Sequence, residues 1–427
     1  MQVHCPGKDD LHDVTVVDQL KLFRNRPDLR FEGRIHEQVL GAINRAQGEM
    51  VFADIFVVHA GADRSPDGRI RKLKRDIKLL RLDRRERPNH TFVHFNLGMT
   101  YSDAGKHLKA IKALRRSLAL AQPHESHVRK VYALLVVSHC GLGQRAEARQ
   151  ACAEGLRLFP KDPELLFRNG MLSHEDGQLR TAEASYLAAL ANDDSLHFGS
   201  IDRGIVGFKA RQNLAAVYTD MGALGKAEEQ WRRIVEEVPT YRDGWRWLVE
   251  NLLLQGKLRD AEQSVERVFA SDPRLRATGL TLAARIAEAT GQVEAALATL
   301  RQARRECPDD AAPLDDLCRH LFYRGEPREL EEALREMVRR QPENAAAHQN
   351  LGTTLLRAGR FQEAAEAFRM SLRERPDSAV TQLSLGYALS SAGNPREAGA
   401  AFEQCIRLAP EPRLVAEAQR QLAALAA

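Results

Sequence analysis

Acidic side chains that could hold a divalent metal occur near the start of the chain. Asp9, Asp10 and Asp13 lie within the stretch KDDLHD. Carboxylate oxygens are the ligands that Mg²⁺ and Mn²⁺ prefer in proteins. No apolar strand precedes these acids to hold them in place, and the other acidic pairs, NDD and PDD, fall between repeats described below. We therefore assign no metal site to KDDLHD.

The cysteines are the next residues that could bind metal or act as nucleophiles. None of the six forms a CxxC pair or a zinc spacing: Cys5, Cys140, Cys152, Cys307, Cys318 and Cys405. Such usage indicates reduced thiols and a cytoplasmic protein. Four of them fall where small apolar residues pack in helices, which favours a packing role over reactivity: Cys140, Cys152, Cys318 and Cys405.

Composition and charge narrow the class of protein. In the 427 residues, 63 Lys and Arg nearly balance 58 Asp and Glu, so the net charge is only +5. That balance argues against a nucleic-acid partner. The start of the chain lacks the apolar region of a secretory leader, and no apolar run approaches the ~20 residues of a membrane span. Abundant Ala, Leu, Arg and Glu favour helix.

A repeat organises most of the chain. A glycine between two helical segments recurs with spacings of 38, 34, 45, 34, 35, 34, 34 and 34 residues: Gly105, Gly143, Gly177, Gly222, Gly256, Gly291, Gly325, Gly359 and Gly393. Five residues after most of them stands an alanine, expected where two helices cross closely: Ala110, Ala148, Ala182, Ala227, Ala261, Ala296, Ala364 and Ala398. Seventeen residues after most stands a helix-ending proline: Pro160, Pro239, Pro273, Pro308, Pro342, Pro376 and Pro410. In the seventh repeat Leu330 replaces the alanine.

These positions resemble the tetratricopeptide repeat. FNLGMTYSDAGKHLKAIKALRRSL and QNLGTTLLRAGRFQEAAEAFRMSLRERP match its pattern closely. We count nine repeats over about residues 91–410, and PRLVAEAQRQLAALAA predicts a final capping helix. The resemblance implies an all-α superhelical solenoid of helix-turn-helix repeats whose inner groove binds a protein or an extended peptide.

One inner position of three repeats carries asparagine: Asn96, Asn213 and Asn350. These side chains could bond a peptide backbone, as in sugar transferases with such repeats. The alternative is that asparagine is simply common at this position of tetratricopeptide repeats. The Lys and Asn set that clamps a C-terminal carboxylate in this family is not evident.

Alternating residues before the repeats predict a small α/β segment. Residues 14–25 and 29–37 are predicted as two strands of a hairpin, 38–48 as a short helix and 50–61 as a buried strand. Residues 68–88 predict an amphipathic helix with Ile70, Leu73, Ile77 and Leu80 on one face. Its ten Lys and Arg against three acids allow a basic patch for nucleic acid or, in the simpler interpretation, a solvated helix face. We place domains at 1–62, 63–90 and 91–427.

The 45-residue spacing contains an insertion over about 191–209, with few helix signals at its start. We interpret it as a contact loop or a kink. His197 and Asp202 within it are expected to be solvated polar groups.

The whole chain also resembles family 2 glycosyltransferases in which a GT-A catalytic domain is followed by tetratricopeptide repeats. The resemblance lies in LKLFRNRPDLRFEGRIHEQVL, in VVHAGADRSPDGRIRKLKRDIKLLRLDRRERP and in HFGSIDRGIVGFKARQNLA. It implies that residues 1–62 are the C-terminal remnant of such a domain, without its nucleotide-binding half. It also implies candidate roles: His36 and Glu37 on the acceptor side of the cleft, Arg34 offsetting phosphate charge, and His59 as a metal ligand or pyrophosphate contact.

Two functions follow as alternatives. The first is a repeat scaffold that binds protein or peptide, is not catalytic as the chain stands and needs no cofactor. The second is a glycosyltransferase that uses a nucleotide sugar and Mn²⁺ or Mg²⁺, with the repeats selecting a protein or glycan acceptor.

Overall fold

The computed structural model describes residues 2–7, 10–18, 23–35, 39–49, 56–58, 65–123, 125–191, 200–324, 326–409 and 411–426. The chain divides into two compact units, unit 1 (Met1–Gln255) and unit 2 (Gly256–Ala427). This division falls inside the repeat array, in the turn of the fifth repeat. It does not follow the domain boundaries predicted at 62 and 90.

A four-stranded sheet lies in unit 1. Its strands are β1 (Gln2–Gly7), β2 (Asp10–Asp18), β3 (Phe56–Val58) and β4 (Ser200–Asp202), in the order β3-β1-β2-β4. β1 pairs antiparallel with β2 and parallel with β3. β2 pairs antiparallel with β4, with Val16 opposite Ile201. The edge strand β4 therefore comes from the insertion in the repeat array, of which residues 192–199 lie outside the described residues.

The described residues do not form the predicted hairpin of residues 14–25 with 29–37. Residues 14–18 are in β2, but the partner of β2 is β1, and residues 27–35 form a turn and bends with a single bridge residue at 32. A turn at Pro27 and Asp28 is held by two hydrogen bonds from the Arg26 guanidinium to the Asp28 carboxylate. The alternation of Leu29, Phe31 and Ile35 thus follows a bent segment.

Two helices precede the repeat array: α1 lies in the chain between β2 and β3, and α2 lies between β3 and the first repeat. α1 (Leu40–Arg45) confirms the predicted short helix, and its Ala42 and Ile43 are buried with Val39 against Phe23 and Leu29. α2 (Pro66–Glu86) confirms the predicted amphipathic helix and is capped by the Ser65 hydroxyl, which accepts from the Gly68 amide.

The buried face of α2 is narrower than its sequence suggests. Ile77 and Leu80 are buried in the same cluster as Leu97 and Leu114, whereas Ile70 is exposed. The basic side chains of α2 lie on its exposed side, and one of them, Arg81, donates to the Tyr101 hydroxyl. Helix α2 therefore continues into the repeats as the simpler interpretation expected.

Helix pairs make up the rest of both units. Unit 1 contains α3 (Thr91–Asp103), α4 (His107–Leu120), α5 (Val128–Cys140), α6 (Arg145–Leu158), α7 (Pro163–Glu175), α8 (Leu179–Leu190), α9 (Phe208–Asp220), α10 (Leu224–Glu237) and α11 (Arg242–Leu254). Unit 2 contains α12 (Leu258–Ser271), α13 (Arg276–Ala289), α14 (Val293–Glu306), α15 (Ala312–Arg324), α16 (Pro327–Arg340), α17 (Ala345–Arg357), α18 (Phe361–Glu374), α19 (Ala379–Ser391), α20 (Pro395–Leu408) and α21 (Pro412–Ala426). Four pairs within unit 1, from α3/α4 to α9/α10, and four within unit 2, from α13/α14 to α19/α20, confirm eight of the predicted repeats, and α21 confirms the capping helix.

The turn glycines and the buried alanines of the repeats have the roles that the sequence predicted. Eight of the turn glycines have positive φ between 66° and 79°, and the ninth, Gly325, lies outside the described residues. A Cβ at Gly105 would meet nothing within 4 Å, so this glycine is required for its left-handed backbone and not for space. All eight predicted alanines are fully buried at the helix crossings, with 0% exposure, and Leu330 at the equivalent position is 5% exposed.

The inter-repeat prolines follow the end of a helix by two residues, as predicted, with Pro410 outside the described residues. The structure adds a feature that the sequence did not reveal. Six residues after a proline, a ring nitrogen donates to that proline's carbonyl: His94 to Pro88 at 2.7 Å, Trp245 to Pro239 at 2.7 Å and His348 to Pro342 at 2.9 Å. These bonds satisfy carbonyls left free at the helix ends.

Candidate functional site

A cleft in unit 2 is a concave site lined by described residues. Its volume is about 260 Å³, and it lies between α15 and α17 with α16 beneath them. Leu330, Leu334 and Met337 of α16 form the apolar floor, and all three are buried in the unit 2 core. Because α15 and α17 are the first helices of consecutive repeats, the cleft occupies the place where the sequence predicts a groove.

One wall of the cleft is aromatic. Tyr323 is 82% exposed, and its ring meets the Phe322 ring edge-to-face with centroids 5.7 Å apart. The Arg357 guanidinium lies over the Phe322 ring, 4.7 Å from its centroid. An exposed tyrosine ring beside an apolar floor is typical of the anchoring points of protein interfaces.

The rim of the cleft is polar. Arg319 pairs with Asp316, while Asp315 on the preceding position has no ion-pair partner among the described residues. Asn344 caps α17 through a hydrogen bond from the Ala347 amide. The amide of Asn350 is exposed and makes no hydrogen bond within the described part of the chain, so it can bond a ligand backbone.

The three predicted groove asparagines differ in their surroundings. Asn350 lines the cleft of unit 2, whereas Asn96 and Asn213 belong to unit 1. Asn96 is 3% exposed, and the Asn213 amide donates to the Lys209 carbonyl at 3.1 Å. Asn350 is exposed and lines a cleft, so the three asparagines differ in their surroundings, and their action as one ladder stays a prediction.

Sequence reasoning missed Phe322, Tyr323, Asp315 and Arg319. A signal existed: Phe322 and Tyr323 form an aromatic pair directly before the turn of a repeat, in a chain with only 6% aromatic residues. That repeat lacks the usual alanine, and Phe322 and Tyr323 do not occupy any of the glycine, alanine or proline positions that define the repeat.

The candidate residues suggested by the glycosyltransferase resemblance are only partly described. His36, Glu37 and His59 lie outside the described residues. Arg34 forms ion pairs with Asp83 and Glu86 of α2, and its backbone amide donates to the Asp83 carboxylate at 3.1 Å. The structure therefore shows Arg34 joining the bent segment to α2. In the insertion, Asp202 accepts from the Gly204 amide and pairs with Lys209 at 2.7 Å, so it is a partnered residue and not merely solvated.

Three side chains in unit 1 have the order of a hydrolytic triad. Ser117 Oγ lies 3.4 Å from His127 Nε2, and His127 Nδ1 lies 3.7 Å from a Glu125 carboxylate oxygen. Ser117 is fully buried and donates its proton to the Thr91 carbonyl at 2.9 Å. A nucleophile must reach its substrate, so this cluster is structural.

His127 of this cluster, together with His90, predicts that the stability of the folded state falls in acid. Burial lowers the pKa of His127, and burial together with Arg87 lowers the pKa of His90. Because the folded pKa values lie below the unfolded value of ~6.5, the folded state binds fewer protons, and stability is lost as pH falls through ~6.5. We expect His127→Phe, whose ring would pack against Phe92 and Phe95, to lose less stability between about pH 7 and pH 5 than the unaltered chain. Urea unfolding followed by tryptophan fluorescence measures this, and an equal loss in both proteins would contradict it.

The remaining candidates for chemistry do not form a site in the described residues. Cys152, Cys318 and Cys405 are buried as predicted, but Cys140 is exposed, which corrects its assignment to the core. Burial raises the pKa of Cys152 to about 11, so its thiolate is disfavoured. No cluster of three metal-binding side chains occurs in the described parts of the chain. Every helix of those parts is too short or too polar to cross a bilayer.

Sequence comparisons agree with the helix pairs. Two family models, both described as tetratricopeptide repeat, match the chain, one at residues 248–311 and 316–379 and the other at 93–124 and 379–412. No curated protein sequence matches the chain. The comparisons show no relationship to a GT-A glycosyltransferase, so the α/β remnant of such a domain is not supported.

Solved structures of repeat proteins are similar to parts of the chain. A tetratricopeptide repeat protein from Parabacteroides merdae is 16% identical with a TM-score of 0.40, covering 61% of this chain and 98% of its own. PilW, a type IV pilus biogenesis factor, is 19% identical with a TM-score of 0.41, and the match covers 53% of this chain and 98% of PilW. YrrB, a repeat protein with an unusual peptide-binding site, is 17% identical with a TM-score of 0.36, and the match covers 44% of this chain and 97% of YrrB.

Proposed function

We propose that this chain, which carries tetratricopeptide repeats, is a scaffold that binds an extended segment of a partner protein in the cleft between α15 and α17. The observation that carries the proposal is the combination of Tyr323, 82% exposed, with the buried apolar floor of α16. A large aromatic ring held in solvent costs free energy that a bound partner would recover.

The chemistry of the cleft fits a peptide. Its volume of about 260 Å³ holds one or two side chains, and the exposed Asn350 amide offers both a donor and an acceptor to a peptide backbone. Such binding requires burial and hydrogen bonds and includes no reaction step.

The origin of residues 1–62 in a glycosyltransferase stays a prediction, as does the use of a nucleotide sugar with Mn²⁺ or Mg²⁺. The Arg34 guanidinium already forms ion pairs with Asp83 and Glu86. It would have to break these ion pairs to contact a phosphate, as the glycosyltransferase resemblance implies. Binding in the α15–α17 cleft does not depend on that origin.

Alanine at Tyr323 tests the proposal. Peptides are selected from a displayed random library on the intact chain, and their affinity is measured by fluorescence polarisation. We expect Tyr323→Ala to weaken them by at least about tenfold, since aromatic anchors commonly contribute more than ~1.4 kcal/mol. Leu108→Ala is the matched control, because Leu108 is a large apolar residue that is 70% exposed on α4 and does not line the cleft. Equal binding by the Tyr323→Ala variant would place the peptide site elsewhere.

A further inference from the structure

Asp315 is the unpaired charge of the cleft. It stands in the first turn of α15 and lines the cleft rim. Two arginines are candidates to pair with it. Arg319 forms an ion pair with Asp316, and the Arg357 guanidinium lies over the Phe322 ring. Neither forms an ion pair with Asp315 in the described structure.

The surroundings of Asp315 disfavour its own ionised form. Partial burial, followed by the neighbouring Asp316 charge, raises the pKa of the Asp315 carboxyl, although the side chain still reaches solvent. The first turn of a helix normally favours a negative charge. A cation brought by a ligand would stabilise the Asp315 carboxylate.

The ring of Tyr323 offers a second, apolar contact at the other end of α15. Exposed tyrosine rings commonly anchor an apolar side chain of a partner protein. Tyr323 is exposed for this contact, and the buried side chains of Leu334 and Met337 form the apolar floor beside it.

We propose that the cleft selects a segment of a partner protein that carries a lysine or arginine next to an apolar residue, with Asp315 receiving the cation and Tyr323 contacting the apolar residue. This inference rests on the proposed function. A ligand that presents a carboxylate fits less well. Arg319 is the one cation among the residues that line the cleft, and it already forms an ion pair with Asp316.

Charge reversal at Asp315 tests the selectivity. Random displayed peptides are selected in parallel on the unaltered chain, on Asp315→Lys and on Asp377→Lys. Asp377 is the control because it is an exposed acid of unit 2 in the turn between α18 and α19, outside the cleft lining. We expect peptides from the unaltered chain and from Asp377→Lys to be enriched in Lys or Arg beside an apolar residue.

Asp315→Lys should lose that enrichment and favour Asp or Glu instead. Affinities of one selected basic peptide should fall about tenfold or more on Asp315→Lys and less on Asp315→Asn, which removes charge without reversing it. A merely structural role for Asp315 in the first turn of α15 would not change the charge of the selected peptides.

The outcomes separate the two proposals. Selected peptides that need Tyr323 but show no basic preference, or that bind Asp315→Lys unchanged, overturn the charge selectivity and leave the cleft as the binding site. Peptides that bind the Tyr323→Ala variant unchanged, or a library that gives no binder, overturn the proposed function and the selectivity with it.

Discussion

Phe402→Ala is expected to destabilise unit 2 by about 3–5 kcal/mol, the typical cost of deleting a fully buried phenylalanine ring. Phe402 is 0% exposed and belongs to the unit 2 core. Its ring meets the Tyr387 ring edge-to-face at 5.8 Å and lies against Gly386, which has no side chain to fill the space left behind. Collapse around the site is therefore limited, and the cavity term should be large.

Urea unfolding of the intact chain, followed by far-UV circular dichroism, measures this loss. Tryptophan fluorescence alone would not suffice, because all three tryptophans, Trp231, Trp245 and Trp247, lie in unit 1. Tyr323→Ala is the matched control: it also deletes an aromatic ring in unit 2, but from an 82% exposed position, and should change stability by no more than about 0.5 kcal/mol. Similar losses in the two variants would mean that burial of Phe402 does not stabilise unit 2.

The repeats could be predicted from sequence because each of their rules acts over a short range. A left-handed turn at Gly105 and the close helix crossing at Ala110 are determined within a few residues. Repetition of these local rules along the chain then made the register unambiguous, including the seventh repeat, where Leu330 breaks the pattern but stays buried.

The N-terminal segment was harder because its structure depends on distant residues. Alternation in residues 14–18 correctly indicates a strand, but the partner on one side is β4, from the insertion near residue 200. Nothing within residues 29–35 reveals that Arg34 is held by Asp83 and Glu86 of α2, which bends a segment whose alternation resembles a strand.

The cleft could be predicted only in part. Asn350 lines the cleft, but the same repeat position is buried at Asn96 and bonded to the backbone at Asn213. A single residue position therefore does not determine exposure. That depends on the neighbouring side chains, and at the cleft these are the ones that a repeat pattern leaves variable, such as Tyr323.

A pair of glycine substitutions in unit 2 should change stability in opposite directions. Gly352 of α17 packs under Phe368, and a Cβ there would lie 2.7 Å from the ring. Gly399 of α20 is also helical, but its Cβ would lie 3.7 Å from the nearest atom, an ordinary contact with Leu422. Alanine favours a helix over glycine by about 1 kcal/mol at either position, so any difference between them reports the close packing.

We expect Gly399→Ala to stabilise the chain by about 0.5–1 kcal/mol and Gly352→Ala to destabilise it by about 1–3 kcal/mol, since Phe368 is fully buried and cannot move without disturbing its neighbours. Urea unfolding measures both values. Adding Phe368→Leu should reduce the cost of Gly352→Ala, because the smaller side chain makes room for the methyl group, and this coupling identifies the ring as the cause. If Gly352→Ala instead raised stability, the ring would be free to shift, and the distance between α17 and α18 would have to be determined by the crossing at Ala364.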